Sequence, residues 1–365
     1  MKPSLSVFVN ESRRGFTLVE LIVATGITLV LATMLIGVTG GMLSAWNQSR
    51  GKLSSANQAK LALDQLAADL ACAVTRADGA VWLAATIQPD QSGAGDSGSA
   101  VTSWDPTGGG TMKPGNGAGG SLQLIPGGSL LAPENQRLED FRFGMAGTWL
   151  RLFTTEPDSN DSVDQTSAVR AVGYQILRFS PRRATSRIYG LFRSSVRPTG
   201  TPNSTFGVGY ELFSTDGTNP TEYNVGDASS PGNAGTVRRP RVDALLANNV
   251  IDFGARFWAR NSGGVLSVIF PTSNDNLGFA ARTQPVTGSE PNAVPLVPAV
   301  GAPTFAQMTY GFPEVAEIFV RVLTDEGAAI VEAIETGKRS GDWWEAALEH
   351  SVVYTRRVEV KGRAR

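Results

Sequence analysis

Residues 13–46 of the chain read RRGFTLVELIVATGITLVLATMLIGVTGGMLSAW, and the expectation for the whole fold starts from them. Two arginines open this stretch, and after Glu20 no charged residue follows until Arg50. Residues 21–46 are therefore 26 uncharged and mostly apolar residues in a row. As an α-helix they would extend about 39 Å, more than the ~30 Å hydrocarbon core of a bilayer. The sequence predicts one membrane-spanning helix near the amino terminus.

The residues before this span are basic, because Lys2, Arg13 and Arg14 outnumber Glu11. A secretory signal would have a shorter apolar core followed promptly by a small-residue cleavage site, and this run fits neither condition. Basic flanks of a membrane span stay in the cytoplasm. We therefore expect a single-pass protein whose amino terminus is cytoplasmic and whose chain after Trp46 lies outside.

Glu20 stands at the inner end of the span. An ionised carboxylate there costs a few kcal/mol, on the order of 3, unless it is paired or reaches the interface. One interpretation is an acidic residue in the first turn of a helix, where the helix dipole favours negative charge. The other is a carboxylate that awaits a positively charged partner, since opposite charges attract strongly in a low dielectric.

The order Arg13-Arg14-Gly15-Phe16, followed by an apolar helix with Glu20, resembles the prepilin cleavage and methylation signal of type IV pilins and type II secretion pseudopilins. The resemblance implies that a membrane prepilin peptidase cuts between Gly15 and Phe16 and methylates the new amino group of Phe16. It also implies that Glu20, the fifth residue of the mature chain, faces the amino terminus of a neighbouring subunit during assembly.

The helix is predicted to continue beyond the membrane and to end near residue 75. We expect a leader at 1–15, a long helix at 16–75 (membrane-spanning at 16–46, amphipathic at 47–75), a Gly/Ser-rich loop at 88–121 and a head at 122–365. Cys72 falls on the amphipathic part, so we expect it to be buried as a small apolar residue. Apolar residues recur in this part at steps of three or four: Leu53, Ala56, Ala59, Leu63, Leu66, Leu70 and Val74.

The remaining chain indicates an antiparallel β-rich head with long loops, so the predicted fold class is α+β. Apolar residues alternate with polar residues or glycine along 250–258, as in a strand with one solvated face. The Pro- and Gly-rich segments 198–240 and 271–313 are predicted loops. Helices are predicted at 326–336 and 343–350, with Trp343 and Trp344 as core aromatics or, alternatively, as a partner anchor. The predicted strands are 122–125, 141–145, 148–154, 168–179, 187–193, 210–213, 250–258, 265–270, 315–323 and 352–360.

The order of these elements resembles the J-type minor pseudopilins of type II secretion. The segments that carry the likeness are 171–178, 187–193, a strand after 245–246, 313–315 and 354–358, with the long helix before them. The chain also resembles the Verru/Chthon cassette protein C family, in which the stretch at 320–326 is followed by a helical insertion. The resemblance implies a minor subunit, as does a large, loop-rich head that would crowd a repeating array.

Two loops contain patterns that are typical of ligand sites. In the first, oxygen-bearing side chains alternate along residues 158–164, a spacing that can surround Ca²⁺. Val163 stands where such a loop has its turn glycine, so a solvated acidic loop is the alternative. Residues 93–98 match G-x-G-x-x-G by letters, without the strand and helix that a dinucleotide site needs. The calcium candidates are Asp158, Asn160, Ser162 and Asp164.

Six arginines within twenty residues could form a phosphate-binding stripe for DNA. On alternating strands, such residues more often lie on the solvent side of a sheet and pair with acidic residues from elsewhere. The six are Arg178, Arg182, Arg183, Arg187, Arg193 and Arg197.

Composition limits the function classes further. Lys plus Arg number 32 and Asp plus Glu 33, so a net charge of −1 gives no bulk attraction to nucleic acid. A single cysteine forms no intrachain disulfide, and a single histidine, His350, forms no His-rich zinc site. We expect no enzyme, no cofactor and no metal site.

The function predicted from the sequence is that of a non-enzymatic minor pilin- or pseudopilin-like subunit at or near the tip of a pseudopilus or pilus. Its expected partners are prepilin peptidase, other pilin or pseudopilin subunits and inner-membrane lipid, with no small-molecule substrate and no nucleic acid. The expected location is the inner membrane, with the head in the periplasm or in an extracytoplasmic filament. The alternative is a membrane-anchored adhesion or ligand-binding protein, including a DNA-binding one, with a pilin-like amino terminus.

Overall fold

In the computed structural model of the protein, the first element is the 54-residue helix α1 (Leu18–Ala71). The chain divides into two compact units, residues 1–50 and 51–365. The described residues are 17–75, 81–87, 137–143, 148–155, 169–179, 188–196, 242–260, 264–273, 278–281, 293–294, 308–360 and 363–364.

The part of α1 in the second unit buries one face, as predicted. Ala59, Leu63, Leu66 and Leu70 are buried, so the period of three to four residues is confirmed over these positions. Leu53 is 63% exposed, and its predicted place on this face is wrong, because the buried face runs through Gly51, Ser55 and Ala59 and Leu53 points away from it.

The helix ends at Ala71, and the prediction that Cys72 is buried is wrong. Cys72 lies in a turn just after the helix and is exposed, because it follows the face of Asp64 and Ala68, which are exposed as well. The chain then enters the two-residue strand β1 (Val74–Thr75), which pairs in parallel with β14 (Arg363–Ala364).

An eight-stranded sheet forms the larger layer of the second unit. Its strands are β2 (Leu83–Ile87), β3 (Thr148–Thr155), β4 (Val169–Phe179), β5 (Ile188–Val196), β6 (Leu245–Asn248), β9 (Gly278–Ala281), β10 (Ala293–Val294) and β11 (Met308–Gly311). Their order in the sheet is β10-β11-β9-β2-β3-β4-β5-β6, and all neighbours are antiparallel except β9 and β11.

A four-stranded antiparallel sheet forms the other layer, in the order β13-β12-β7-β8. The two sheets meet where the rings of Tyr174 on β4 and Phe253 on β7 lie 6.4 Å apart. The α+β class is confirmed by this arrangement of a long helix and antiparallel sheets. The strands of the smaller sheet are β7 (Val250–Arg260), β8 (Leu266–Phe270), β12 (Val315–Leu323) and β13 (Ser351–Glu359).

Strand β7 is buried on both faces, so the prediction of a solvated face is wrong. Asp252, Gly254 and Arg256 would form that face, and all three are buried. Residues 137–143, which we call the strap, lie across these positions, and Phe143 packs on Gly254. Residues 141–145 were predicted as a strand, but the described part follows a 3-10 helix (Leu138–Asp140) and belongs to the strap.

Two helices connect β12 to β13, as predicted: α2 (Asp325–Glu335) and α3 (Trp343–Glu349). Each begins at a side-chain cap. Thr324 accepts the Gly327 N–H at 3.1 Å, and Asp342 accepts the Glu345 N–H at 2.8 Å. Trp343 and Trp344 of α3 are buried, which confirms their interpretation as core aromatics.

Some predicted elements differ from the structure or lie outside its description. Strand β2 was not predicted, and the predicted loop 271–313 contains β9, β10 and β11. Segments 88–121, 122–125 and 210–213 lie outside the described residues.

Candidate functional site

The amino-terminal end of α1 is closed by Thr17 and Glu20, which cap it reciprocally. The Thr17 N–H and hydroxyl donate to Glu20 Oε2 at 2.9 and 3.0 Å, and the Glu20 N–H lies 3.2 Å from Thr17 Oγ1. This is a capping box, in which each residue satisfies a backbone N–H that the helix leaves without a partner. The Glu20 carboxylate therefore lies in the first turn, where the helix dipole favours negative charge.

The predicted processing residues lie next to this cap in sequence. Arg13, Arg14, Gly15 and Phe16 are outside the described residues, so the cleavage and methylation positions stay predictions.

Beyond the cap, Leu18–Leu43 is long and apolar enough to cross a membrane, and none of its 26 residues is buried. Exposed aliphatic side chains on this scale cost free energy in water, at about 25 cal/mol per Å². The segment therefore needs an apolar environment, which lipid or other helices can provide. The large exposed side chains include Leu21, Ile22, Leu29, Leu31, Leu35, Ile36 and Leu43.

The threonines within this segment bond back to their own helix. Thr25 donates to the Leu21 carbonyl at 3.0 Å, and Thr28 donates to the Ala24 carbonyl at 2.7 Å. Thr33 and Thr39 make the same kind of bond at 2.8 and 2.7 Å. Their hydroxyls need no water, so these polar residues do not prevent the segment from entering lipid.

At the other end of α1, Asp69 ties the helix to the larger sheet. Arg193 on β5 donates to it twice, from Nε to Oδ2 at 2.7 Å and from Nη2 to Oδ1 at 3.0 Å. The hydroxyl of Tyr174 on β4 donates to the same Oδ2. We call Asp69, Tyr174 and Arg193 the helix clamp. Burial, with the negative charge of Asp69 beside it, raises the pKa of Tyr174 well above its usual value, so the phenol stays protonated and able to donate.

Further contacts hold the same part of the helix. Gln58 accepts the backbone N–H of Asn248 at 2.7 Å, and Asp64 forms an ion pair with Arg356 on β13. The Asp64 and Arg356 side chains are 49% and 42% exposed, so water screens this pair and it contributes little stability. The buried clamp is the stronger of the two charged anchors.

The clamp was missed from the sequence, although one signal was present. Asp69 stands three residues after Leu66 and next to Leu70, both on the buried face. A carboxylate within an apolar face implies a buried partner, because an unpaired buried charge is costly.

The other candidate residues do not come together as a site. Arg193 is turned toward Asp69, so it does not contribute to a surface stripe for DNA. The side chain of Arg178 and the other four arginines of the stripe lie outside the description, as do Asp158, Asn160, Ser162 and Asp164. Among the described residues, no group of three or more His, Cys, Asp or Glu residues could hold a metal ion.

A family model for the prokaryotic N-terminal methylation motif matches residues 11–36. The match covers the predicted cleavage position, the capping box and more than half of the apolar segment, and it supports a prepilin-type protein. No curated protein and no solved structure matches the chain.

Proposed function

We propose that the protein is a non-enzymatic minor subunit of a type II secretion pseudopilus or a type IV pilus. One observation supports this above all: the exposed apolar segment of 26 residues, Leu18–Leu43, carries the capped Glu20 in its first turn, inside the stretch that matches the methylation motif. A soluble enzyme or a soluble binding module does not require such a segment. In an assembling pilin-type subunit, the segment lies first in lipid and then packs against the helices of other subunits.

The proposed mechanism starts with processing. Prepilin peptidase cuts between Gly15 and Phe16 and methylates the amino group of Phe16, so Thr17 becomes the second residue of the mature chain. The charged terminus of one subunit and Glu20 of another then attract each other where water is scarce, and each offsets the other's desolvation. Because the capping box already orients the Glu20 carboxylate in the first turn, little side-chain entropy remains to be lost on pairing.

The proposed location is the inner membrane, with the amino terminus in the cytoplasm and the second unit in the periplasm or in a filament outside the cytoplasm. Its partners are prepilin peptidase, other pilin or pseudopilin subunits and inner-membrane lipid. The likeness of its element order to J-type minor pseudopilins supports a minor subunit, and the large, loop-rich head, which would crowd a repeating array, supports a position at or near the tip.

Counting copies in isolated filaments tests the proposal. An epitope-tagged chain is expressed in cells that assemble the filament, and the sheared filaments are labelled with gold. The expected result is a few copies at one end. Dense labelling along the shaft would contradict the tip position, and a chain that never copurifies with filaments would contradict the subunit role. In that case, capture of an extracellular polymer would support the adhesion alternative.

A further inference from the structure

The strap, residues 137–143, closes the outer face of the four-stranded sheet by a contact that only glycine permits. A Cβ atom on residue 254 would lie 2.1 Å from the Phe143 ring, so the ring packs directly on the backbone of Gly254. The same ring lies 5.4 Å from that of Phe319 on the neighbouring strand β12. The strap thus occupies a fitted position on the sheet.

Two charged residues of the sheet hold the two ends of the strap. Asp252 on β7 accepts the Phe143 N–H at 3.1 Å through Oδ1 and at 3.3 Å through Oδ2. Arg321 on β12 donates from Nη2 to the Glu139 carbonyl at 3.1 Å. Asp252 and Arg321 are opposite each other in the antiparallel register, so one cross-strand pair fixes both ends.

The Asp252 carboxyl is completely buried beneath the strap, and its surroundings favour the protonated form. Burial raises its pKa to about 8, although the positive charges of Arg321 and Arg142 and the N–H groups of Phe143 and Phe253 oppose this. Within the strap, Asp140 acts on Arg321, and the Glu139 side chain pairs with Arg137 at 3.5 Å. From the sheet, the guanidinium of Arg256 on β7 lies 5.3 Å from the Phe141 ring and is paired with Glu317 of β12.

The direction of the pH effect follows from these surroundings. Once the strap is lifted, the carboxyl is hydrated and returns toward its ordinary pKa of 3.8. The Asp252 carboxyl therefore keeps its proton under the closed strap and releases it when the strap is open. Closure is fully favoured below about pH 4 and weakens as the pH rises toward about 8, because deprotonation drives opening in this range.

We propose that the strap is a pH-responsive closure of the four-stranded sheet, held firmly in acid and released progressively toward alkaline pH, with Asp252 as the sensing group. This role is independent of the proposed assembly function. For a head outside the cytoplasm, it would couple the outer face of this sheet to the pH of the surroundings.

Hydrogen exchange on the full-length protein in detergent micelles tests the proposal. The readout is the protection factor of the Phe143 amide, corrected for the intrinsic effect of pH on exchange. Between pH 5 and pH 8 we expect it to fall at least tenfold in the wild type, while the amides of β12 keep their protection. In Asp252→Asn, which keeps a carbonyl acceptor but has no proton to lose, we expect no such fall.

Gly254→Ala serves as the control, since it displaces Phe143 and should lower strap protection at both pH values equally. If Asp252→Asn fails to fold, the wild-type series alone decides the question. Strap protection that does not change with pH would overturn the proposal. An equal loss of protection in the strap and in β12 would also overturn it, because it would indicate global unfolding.

Discussion

Asp69 on α1 and Arg193 on β5 lie 2.7 Å apart, Oδ2 to Nε, with side chains only 4% and 15% exposed. The two residues are 124 positions apart in the chain. Their ion pair, together with the hydrogen bond from Tyr174, holds the end of the long helix on β4 and β5 of the larger sheet, which follow much later in the sequence.

Asp69→Ala should lower the free energy of unfolding by about 3–5 kcal/mol, because it removes the buried carboxylate to which both Arg193 and Tyr174 donate. Asp64→Ala is the matched control on the same helix. It removes the exposed pair with Arg356 and should cost less than about 1 kcal/mol. Urea unfolding of the full-length protein in detergent measures both, and equal losses would contradict the clamp.

Tyr174→Phe should cost about 1.5–3 kcal/mol at neutral pH, since it removes a buried hydrogen bond to a charged group. The raised pKa of Tyr174 adds a pH effect: the wild type should lose stability as the pH rises above 10, whereas the variant should lose less. Unfolding curves at pH 7 and at pH 10.5 check this. A parallel loss in both proteins would contradict the burial of an ionisable phenol here.

Gly254→Ala should destabilise the fold by about 1–3 kcal/mol, because the new methyl group would overlap the Phe143 ring. A second substitution, Phe143→Ala, should recover part of that loss by removing the ring. The two changes should therefore be strongly non-additive in a double-mutant cycle. Additive losses would show that the ring does not lie on Gly254.

Glu20→Gln and Thr17→Ala separate the capping role of Glu20 from its charge. Glutamine can still complete the capping box, so Glu20→Gln should keep the helix end but fail to enter filaments. Thr17→Ala should weaken the helix end by about 1 kcal/mol and still enter filaments. Cofractionation with sheared filaments measures this, and normal incorporation of Glu20→Gln would refute the charge-pairing role.

The sequence predicted α1 at 16–75 and the helix spans Leu18–Ala71, so the predicted start is two residues early and the predicted end is four residues late. An uncharged run and then a regular apolar face define this helix. The burial predicted for Cys72 was wrong, because Cys72 follows the exposed face of Asp64 and Ala68 and not the buried face of Leu66 and Leu70. Strand β2 was missed since its five residues, LAATI, are all buried and show no alternation.

The strap and the clamp depend on long-range contacts. Phe143 and Asp252 are 109 residues apart, so the burial of Asp252 cannot be deduced from the alternating pattern around it. That pattern indicated a solvated face, and a distant segment covers it instead.

Mass spectrometry of the amino-terminal peptide, from protein extracted from membranes of cells with an active prepilin peptidase, tests the central claim most directly. A Gly15→Val variant that the peptidase should not cleave provides the matched control. The account predicts a wild-type chain that begins at Phe16 with one methyl group on its amino nitrogen, and a variant that keeps its leader. A wild-type chain that retains residues 1–15 would contradict the account and leave the apolar helix a plain membrane anchor.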